Sequence, residues 1–332
     1  MKKQLKLSIL DYGLLDEGKT PAQAWQDSVA LAQLAEERGY HRFWLAEHHN
    51  VAALTLASPE LLMTYIASQT QRIRLGSGGI MGLHYSPYKI AELAVGLGQL
   101  FPDRMDMGLG NSTGTPLVKK HLQSLYQPSQ FGQWLEHFRD YLLGQEEEIN
   151  HLPKLDNLPH IFTLGMGGDS LSLSAELGLG YVYGSFPFID HEPLALAGRL
   201  ARTYRQDFQA SSILEKPYFI LAVFIVLAET SQQAEELAKS LDIWMLGKND
   251  FNDFKAFPSL ATYQSYQLTE EEQLRIAKQR KRMIVGNKAE VKEQLDVLLQ
   301  ACQPDELMMI PLVAGIDNRM QAVELLADLY GQ

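Results

Sequence analysis

The sequence predicts an α/β fold: a (β/α)8 TIM barrel with insertions after strands 4 and 7, one domain spanning residues 1–332. Three observations lead there. Short apolar runs alternate with longer amphipathic stretches along the chain, the order of a parallel sheet with crossover helices. The 332 residues exceed the ~250 of a typical barrel and leave room for two insertions. Nearly every segment rich in Gly, His, Asn or Ser directly follows an apolar run, and a barrel gathers such segments on one face. An open doubly wound sheet is the rival. It usually carries Gly-x-Gly-x-x-Gly after an early strand, and Asp11-Tyr12-Gly13-Leu14-Leu15 is no such turn.

Leu5–Leu10 is the first strand. Pro21–Arg38 is the first helix, with Trp25, Val29, Ala32, Leu34 and Ala35 recurring near a 3.6 period until Gly39 stops it. Arg42–Ala46 is the second strand. Ser58-Pro59-Glu60 opens a helix that runs to Thr70, with Ser as cap and Pro in the first turn. Ile73–Met81 is the third strand, Pro87–Leu100 a helix and Arg104–Leu109 the fourth strand. Thr115–Asn150 breaks the rhythm: polar and helical, with the acidic run Glu146-Glu147-Glu148, it is a fourth helix with an insertion. His160–Leu164, Gly180–Ser185 and Tyr218–Ala228 are the fifth to seventh strands, alternating with helices Ser170–Leu177, Glu192–Gln209 and Ser231–Leu241. Met245–Met283 is the second interruption, aromatic at first and then charged. Lys288–Ala301 is helical, Glu306–Ile310 is the eighth strand and Asn318–Tyr330 the closing helix.

Composition excludes several partners. Lys+Arg 29 against Asp+Glu 40 gives a net charge of −11, and no basic patch argues for nucleic acid or an anionic membrane. Hydrophobic residues at 46% and charged residues at 21% describe a globular chain, not a disordered one. The single cysteine, Cys302, forms no internal disulfide and supports no thiolate metal site. The most apolar run, Tyr218 to Ala228, falls short of the ~20 residues of a membrane span. Met1-Lys2-Lys3-Gln4 leads straight into a strand rather than a signal-type segment. A cytoplasmic protein is expected.

Four strand ends carry chemistry. Glu47-His48-His49 closes the second strand; the residues suit a general base, a metal-ligand set or a polar lid. A metal needs a third ligand, and His84, His121 and Asp11 stand at no recognisable spacing. Leu75-Gly76-Ser77-Gly78-Gly79-Ile80 weakens its strand with three glycines, which calls for a flat or bulky group near the backbone or for a barrel corner. Gly108-Leu109-Gly110-Asn111-Ser112-Thr113-Gly114 offers amides and hydroxyls to an anion. Gly165-Met166-Gly167-Gly168-Asp169-Ser170 opens a helix whose free amides favour a phosphate, unless Asp169 or Ser170 caps it. Together the last two form a phosphate corner. An apolar cleft beside it suits a flavin mononucleotide or a sugar phosphate.

At these residues the chain resembles the bacterial luciferase-like flavin monooxygenases. The resemblance rests on Gly39 through Asn50, Ile73 through Met81, His84-Tyr85-Ser86-Pro87 with Ala91-Glu92, Leu100 through Gly110, Leu164-Gly165 through Leu179, and Met283 through Asn287 with Val291. It covers nearly the whole chain, nearest to the single-component-type relatives of unassigned substrate. It implies reduced FMN on the C-terminal face of the barrel, supplied by a separate reductase, with O2 and an organic molecule as co-substrates, and a homodimer. By position it implies His48 as the active-site acid/base with Glu47 supporting it and His49 as a structural neighbour. Ser77, Gly78 and Gly79 would lie under the flavin ring, often at a non-proline cis peptide. Gly167, Gly168 and Ser170 would hold the phosphate, with Asn111 and Ser112 beside them. Many members have an arginine where this chain has Asn111, and Asn donates only a neutral hydrogen bond. A deazaflavin-dependent hydride transfer on the same barrel, and a non-catalytic flavin-binding protein, are the alternatives. The second insertion, Met245–Met283, is expected to be a lid, with Trp244, Phe251, Phe254, Phe257, Tyr263 and Tyr266 closing over an apolar substrate unless the aromatic stripe is only packing.

Overall fold

Ten strands appear in chain order in a computed structural model that describes residues 5–146, 148–149, 152–187 and 193–331. They are β1 (Lys6–Asp11), β2 (Arg42–Leu45), β3 (Arg74–Ser77), β4 (Ile80–Met81), β5 (Met105–Gly110), β6 (Ile161–Gly165), β7 (Gly180–Ser185), β8 (Phe219–Leu227), β9 (Met283–Gly286) and β10 (Glu306–Ile310). Eight of them, β10-β1-β2-β3-β5-β6-β7-β8, pair in that order, and β10 pairs back with β8 to close the barrel. Every pairing between the named strands is parallel. The expected (β/α)8 TIM barrel is the fold.

Boundaries differ where local chemistry intervenes. The expected third strand, Ile73–Met81, is two pieces, because a cis peptide joins Gly78 to Gly79 and β4 resumes the pairing with β5 beyond it. β9 was not expected as a strand. It adds to the outer half of β8, Phe224↔Met283 to Leu227↔Gly286, and four residues beside the charged Lys281-Arg282 show no readable periodicity. Helix Pro59–Gln69 starts at the expected proline, but Ser58 makes no side-chain capping bond. Its φ of −140° and ψ of 82° lie off the extended geometry that aims a cap oxygen at the first turn. The first insertion contains helices Pro116–His121 and Phe131–Leu143 joined through a 3-10 turn at Pro128–Gln130. The second helix buries Phe131, Trp134, Leu135, Phe138 and Leu142 along one stripe and ends at Gly144 in the left-handed region. Glu147 and Asn150 of that insertion, and Glu192 of the sixth helix, lie outside the described residues. The second insertion holds helices Leu260–Ser265 and Glu270–Arg280. Among the described residues no helix is long and apolar enough to cross a membrane.

Alternation along each strand divides the core. On β2, Phe43 and Leu45 pack with the surrounding helices, whereas Trp44 belongs to the cluster inside the barrel with Leu10, Phe162, Ile220 and Met308. The glycines of the third strand serve this packing. A Cβ on Gly76 would lie 2.4 Å from Trp44 Cε3, and one on Gly78 would lie 2.5 Å from Leu10 Cδ1. The flat group that Gly76 admits is therefore the chain's own indole.

Below Trp44 the interior is charged. The fully buried Arg42 guanidinium donates through Nε to Asp106 Oδ2 at 2.6 Å and through Nη1 to Glu306 Oε2 at 2.5 Å. Arg74 adds a second fork to Asp106, at 2.6 and 2.8 Å. Burial alone would raise the Asp106 pKa, but Arg42 and Arg74 outweigh it and hold the carboxyl well below its usual range. Tyr218 donates to Glu306 at 2.8 Å. The network closes one end of the barrel and leaves the other for a site.

Candidate active site

At the C-terminal ends of the strands lies a cavity of about 660 Å³, within the range of small-molecule and cofactor sites. Its walls bring together residues far apart in sequence: Glu47 and His48 after β2, Gly78 and Gly79 after β3, Asn111 and Ser112 after β5, and Gly167, Gly168 and Ser170 after β6. Ser77 stands behind this wall. It is fully buried, and its hydroxyl donates to the Gly108 carbonyl at 2.9 Å and accepts from the Gly108 amide at 3.0 Å. It locks β3 to β5 and is not one of the lining residues.

Glu47 supports a different histidine from the one expected. Its carboxylate accepts from the Met81 amide at 2.8 Å, the Tyr85 hydroxyl at 2.7 Å and His49 Nε2 at 2.7 Å. With these donors the buried carboxylate is satisfied, and no hydrogen bond joins it to His48. Of the two rings, His49 is therefore the one that Glu47 orients, and the expected Glu47 support does not reach His48. His84, once considered as a metal ligand, stacks edge-on to His49 at 6.3 Å and meets the Ser124 hydroxyl through Nδ1 at 2.8 Å. Among the described residues no group of three or more His, Cys, Asp or Glu side chains is arranged to hold a metal.

His48 is half-buried against Tyr12, with ring centroids 4.9 Å apart. Burial pulls its pKa from 6.5 down to about 4; the Glu47 charge opposes this and His49 reinforces it. The ring is thus neutral at pH 7, with Nδ1 buried and without a hydrogen bond of normal geometry. Nε2 is the nitrogen left to meet a ligand. An unfolded histidine takes up its proton near pH 6.5 and the folded His48 only near 4, so the folded state gains stability as pH rises through that window. The contribution is present above pH 6.5 and lost as pH falls toward 4. Thermal melts should show a smaller loss of Tm over this window for His48→Gln than for the parent; parallel profiles would place His48 in open solvent.

The corner expected to hold a phosphate is made of backbone. Helix Gly168–Leu177 has Gly167 as its N-cap with no side-chain capping bond, so neither Asp169 nor Ser170 closes its first turn. Its leading amides are open to an anion. Ser170 is buried beneath them, where Tyr181 meets its hydroxyl and also donates to the Gly167 carbonyl at 2.8 Å. Asn111 and Ser112 are exposed at the rim, and Ser112 Oγ accepts from the Gly114 amide at 3.1 Å. No Lys or Arg lines the cavity among the described residues, whereas Asp169 does. Residues 188–192, outside the described set and just beyond the lining Phe186, contain no Lys or Arg.

A second chamber of about 210 Å³ opens behind His48, lined by Leu54, Phe224, Trp244, Met245 and Leu312 among others. Tyr12, His48, Val51, Phe186 and Phe251 line both spaces. The expected lid is narrower than Met245–Met283. Trp244 and Phe251 reach the chamber, but Phe257 is fully buried and hydrogen-bonds through its amide to the Leu15 carbonyl, and Phe254 packs on Tyr266. Asn252 ties the Phe251 turn to the loop after β2, donating to the Asn50 carbonyl at 2.7 Å and accepting from the Ala52 amide at 2.8 Å. Tyr12 sits directly after β1, so the strand-end rule that found His48 could have found it. Phe186 and Trp244 give no such signal, since isolated aromatics read as packing.

Known proteins match this sequence and this fold. A family model for luciferase-like monooxygenases matches residues 6–302. The chain is 33% identical to the N-acetyl-S-alkylcysteine monooxygenase of Bacillus subtilis (strain 168), over 98% of each protein. The crystal structure of apo-MsnO8 superposes with a TM-score of 0.85 at 28% identity, covering 99% of this chain and 98% of that one. At the level of fold alone, the oxygenating constituent of 3,6-diketocamphane monooxygenase, solved with FMN, gives a TM-score of 0.69 at 16% identity. An F420-dependent secondary alcohol dehydrogenase gives 0.68 at 10%. The chain is therefore an oxidoreductase and belongs to the luciferase-like monooxygenase family.

Proposed function

We propose that the larger cavity binds reduced FMN delivered by a separate reductase, and that the protein uses O2 to oxygenate a small apolar molecule with His48 as acid/base. The observation that carries this reading is that His48, Gly78 and Gly79 line one cavity, with burial disfavouring the charged form of the ring. The cavity's size and glycines suit a flat ring, and the uncapped helix start at Gly168 suits a phosphate. Bound reduced FMN supplies two electrons, so that one oxygen atom of O2 enters the substrate and the other leaves as water. Around it His48 holds or moves a proton at Nε2. Glu47 fixes His49 and the loop that carries both rings, and Tyr12 and Phe251 exclude water from the junction of the two spaces.

Titration of the protein with FMN, followed by stopped-flow mixing of the reduced complex with O2, tests the proposal. Absence of FMN binding sinks it. Hydride exchange with a deazaflavin, and no reaction of bound reduced FMN with O2, would select the hydride-transfer alternative. A flavin that binds and is never turned over would select the non-catalytic one.

The cationless corner leads to a specific expectation. Asn111→Arg places a charged fork at the rim of the phosphate site, and FMN should bind about tenfold more tightly or better, the worth of a hydrogen bond to a charged group. A fluorescence titration reads this directly. An unchanged dissociation constant would mean that amides and hydroxyls already satisfy the phosphate.

A further inference from the structure

We infer that the smaller chamber behind His48 is the substrate site, and that it takes an uncharged molecule with a compact apolar body and one hydrogen-bond acceptor. The inference rests on the larger cavity being the flavin site, and it adds the size, charge and orientation of what reacts there.

Size comes first. The chamber encloses about 210 Å³. An apolar cavity of about 150 Å³ holds benzene, and pockets for drug-sized ligands run from roughly 300 Å³ upward. One ring with a short substituent fits; a long chain does not, unless most of it lies in the larger cavity.

Charge comes second. The walls are uncharged and largely apolar: Phe224, Trp244, Met245, Leu54 and Leu312, closed by Phe186 and Phe251 toward the flavin side. No Asp, Glu, Lys or Arg lines the chamber among the described residues. A carboxylate or ammonium seated there would lose its water and find no opposite charge.

Orientation comes third. Of the chamber's polar side chains, Trp244 keeps its unpaired indole Nε1 buried in the wall, whereas Tyr12 and His48 stand together where the chamber meets the larger cavity. The Tyr12 hydroxyl makes no hydrogen bond among the described residues, and burial pushes its pKa upward, so it remains an O–H donor. A ligand whose carbon body fills the chamber therefore presents its acceptor to Tyr12 and His48. That end faces the flavin cavity, where oxygen is transferred.

The experiment uses three probes and the purified full chain, with binding read by calorimetry. Cyclohexanone, a ring with one neutral acceptor, should bind. Cyclohexanecarboxylate, the same ring with a charge, should bind at least about tenfold more weakly, as an unpaired buried charge requires. The third probe is FMN. Leu54→Phe and Leu312→Phe add bulk to the chamber at two residues that are not among those lining the larger cavity. Each should abolish cyclohexanone binding and leave FMN binding intact, and the intact FMN constant also reports that the variant is folded. Tyr12→Phe should weaken cyclohexanone about three- to tenfold, the worth of one neutral hydrogen bond. Equal binding of ketone and carboxylate, no binding of the ketone, or a ketone constant unmoved by both filling variants overturns the inference. Loss of FMN binding alone, with the ketone still bound, would overturn the flavin reading and leave the chamber in place.

Discussion

His48→Ala should slow turnover with reduced FMN and O2 by ~10²–10⁴-fold, the usual contribution of a positioned acid/base. The ring is half-buried beside Tyr12, lines both spaces, and is held neutral at pH 7 by burial. A neutral imidazole with one free nitrogen can accept a proton and return it within a cycle. The fall should appear in kcat, while the FMN dissociation constant moves far less, because Gly78, Gly79 and the amides at Gly168 are untouched. His48→Gln should resemble Ala in rate, since an amide cannot carry the proton. Stopped-flow return of the oxidised-flavin absorbance measures the effect, and near-parental turnover in both variants would reject the role. His49→Ala offers a contrast. Its loss frees one acceptor site of Glu47 but leaves the Met81 and Tyr85 bonds at 2.8 and 2.7 Å in place, so the defect should be smaller.

Arg42→Met should be the most destabilising of these substitutions, costing about 3–5 kcal/mol, as removal of one partner from a buried ion pair does. Asp106 and Glu306 are both fully buried and both lean on this guanidinium. Asp106 keeps Arg74 at 2.6 Å. Glu306 keeps the Tyr218 hydroxyl at 2.8 Å and a long contact from the Trp44 indole at 3.4 Å, neither of them a charge. Glu306 thus bears most of the loss. A thermal melt should show Tm lower by roughly 4–7 °C. Adding Glu306→Gln to Arg42→Met removes the stranded charge and should restore a good part of the difference. A fall in Tm of less than about 2 °C for Arg42→Met would mean that the interior relaxes or admits water, contrary to its zero exposure.

The periodicities that specify a barrel are local, which is why the fold was legible. Gly180–Ser185 and Pro87–Leu100 have the expected bounds because a short apolar strand between glycines and a proline-led amphipathic helix are each decided by their own residues. β9 was invisible because its pairing with β8, more than fifty residues upstream, makes it a strand. The site was legible in outline for the same reason as the fold: strand ends converge on a barrel whatever their sequence, so Glu47, His48, Gly78, Gly79, Asn111, Ser112, Gly167, Gly168 and Ser170 share one cavity. Ser77 is the exception, because alternation along β3 turns its side chain to Gly108 instead.

What the sequence alone determines, then, is the architecture and the neighbourhood of the chemistry. The tertiary structure decides three further things. Glu47 pairs with His49, two residues on, rather than with the adjacent His48, a choice that no spacing rule specifies. The glycines at 76 and 78 make room for Trp44 and Leu10, a contact set by the register of β2 on β3. The chamber behind His48 is closed by Phe186, Phe224, Trp244 and Phe251, which meet only when the barrel closes. Each depends on side chains from different strands and loops reaching the same few ångströms, and that convergence has no periodicity to be read along a chain.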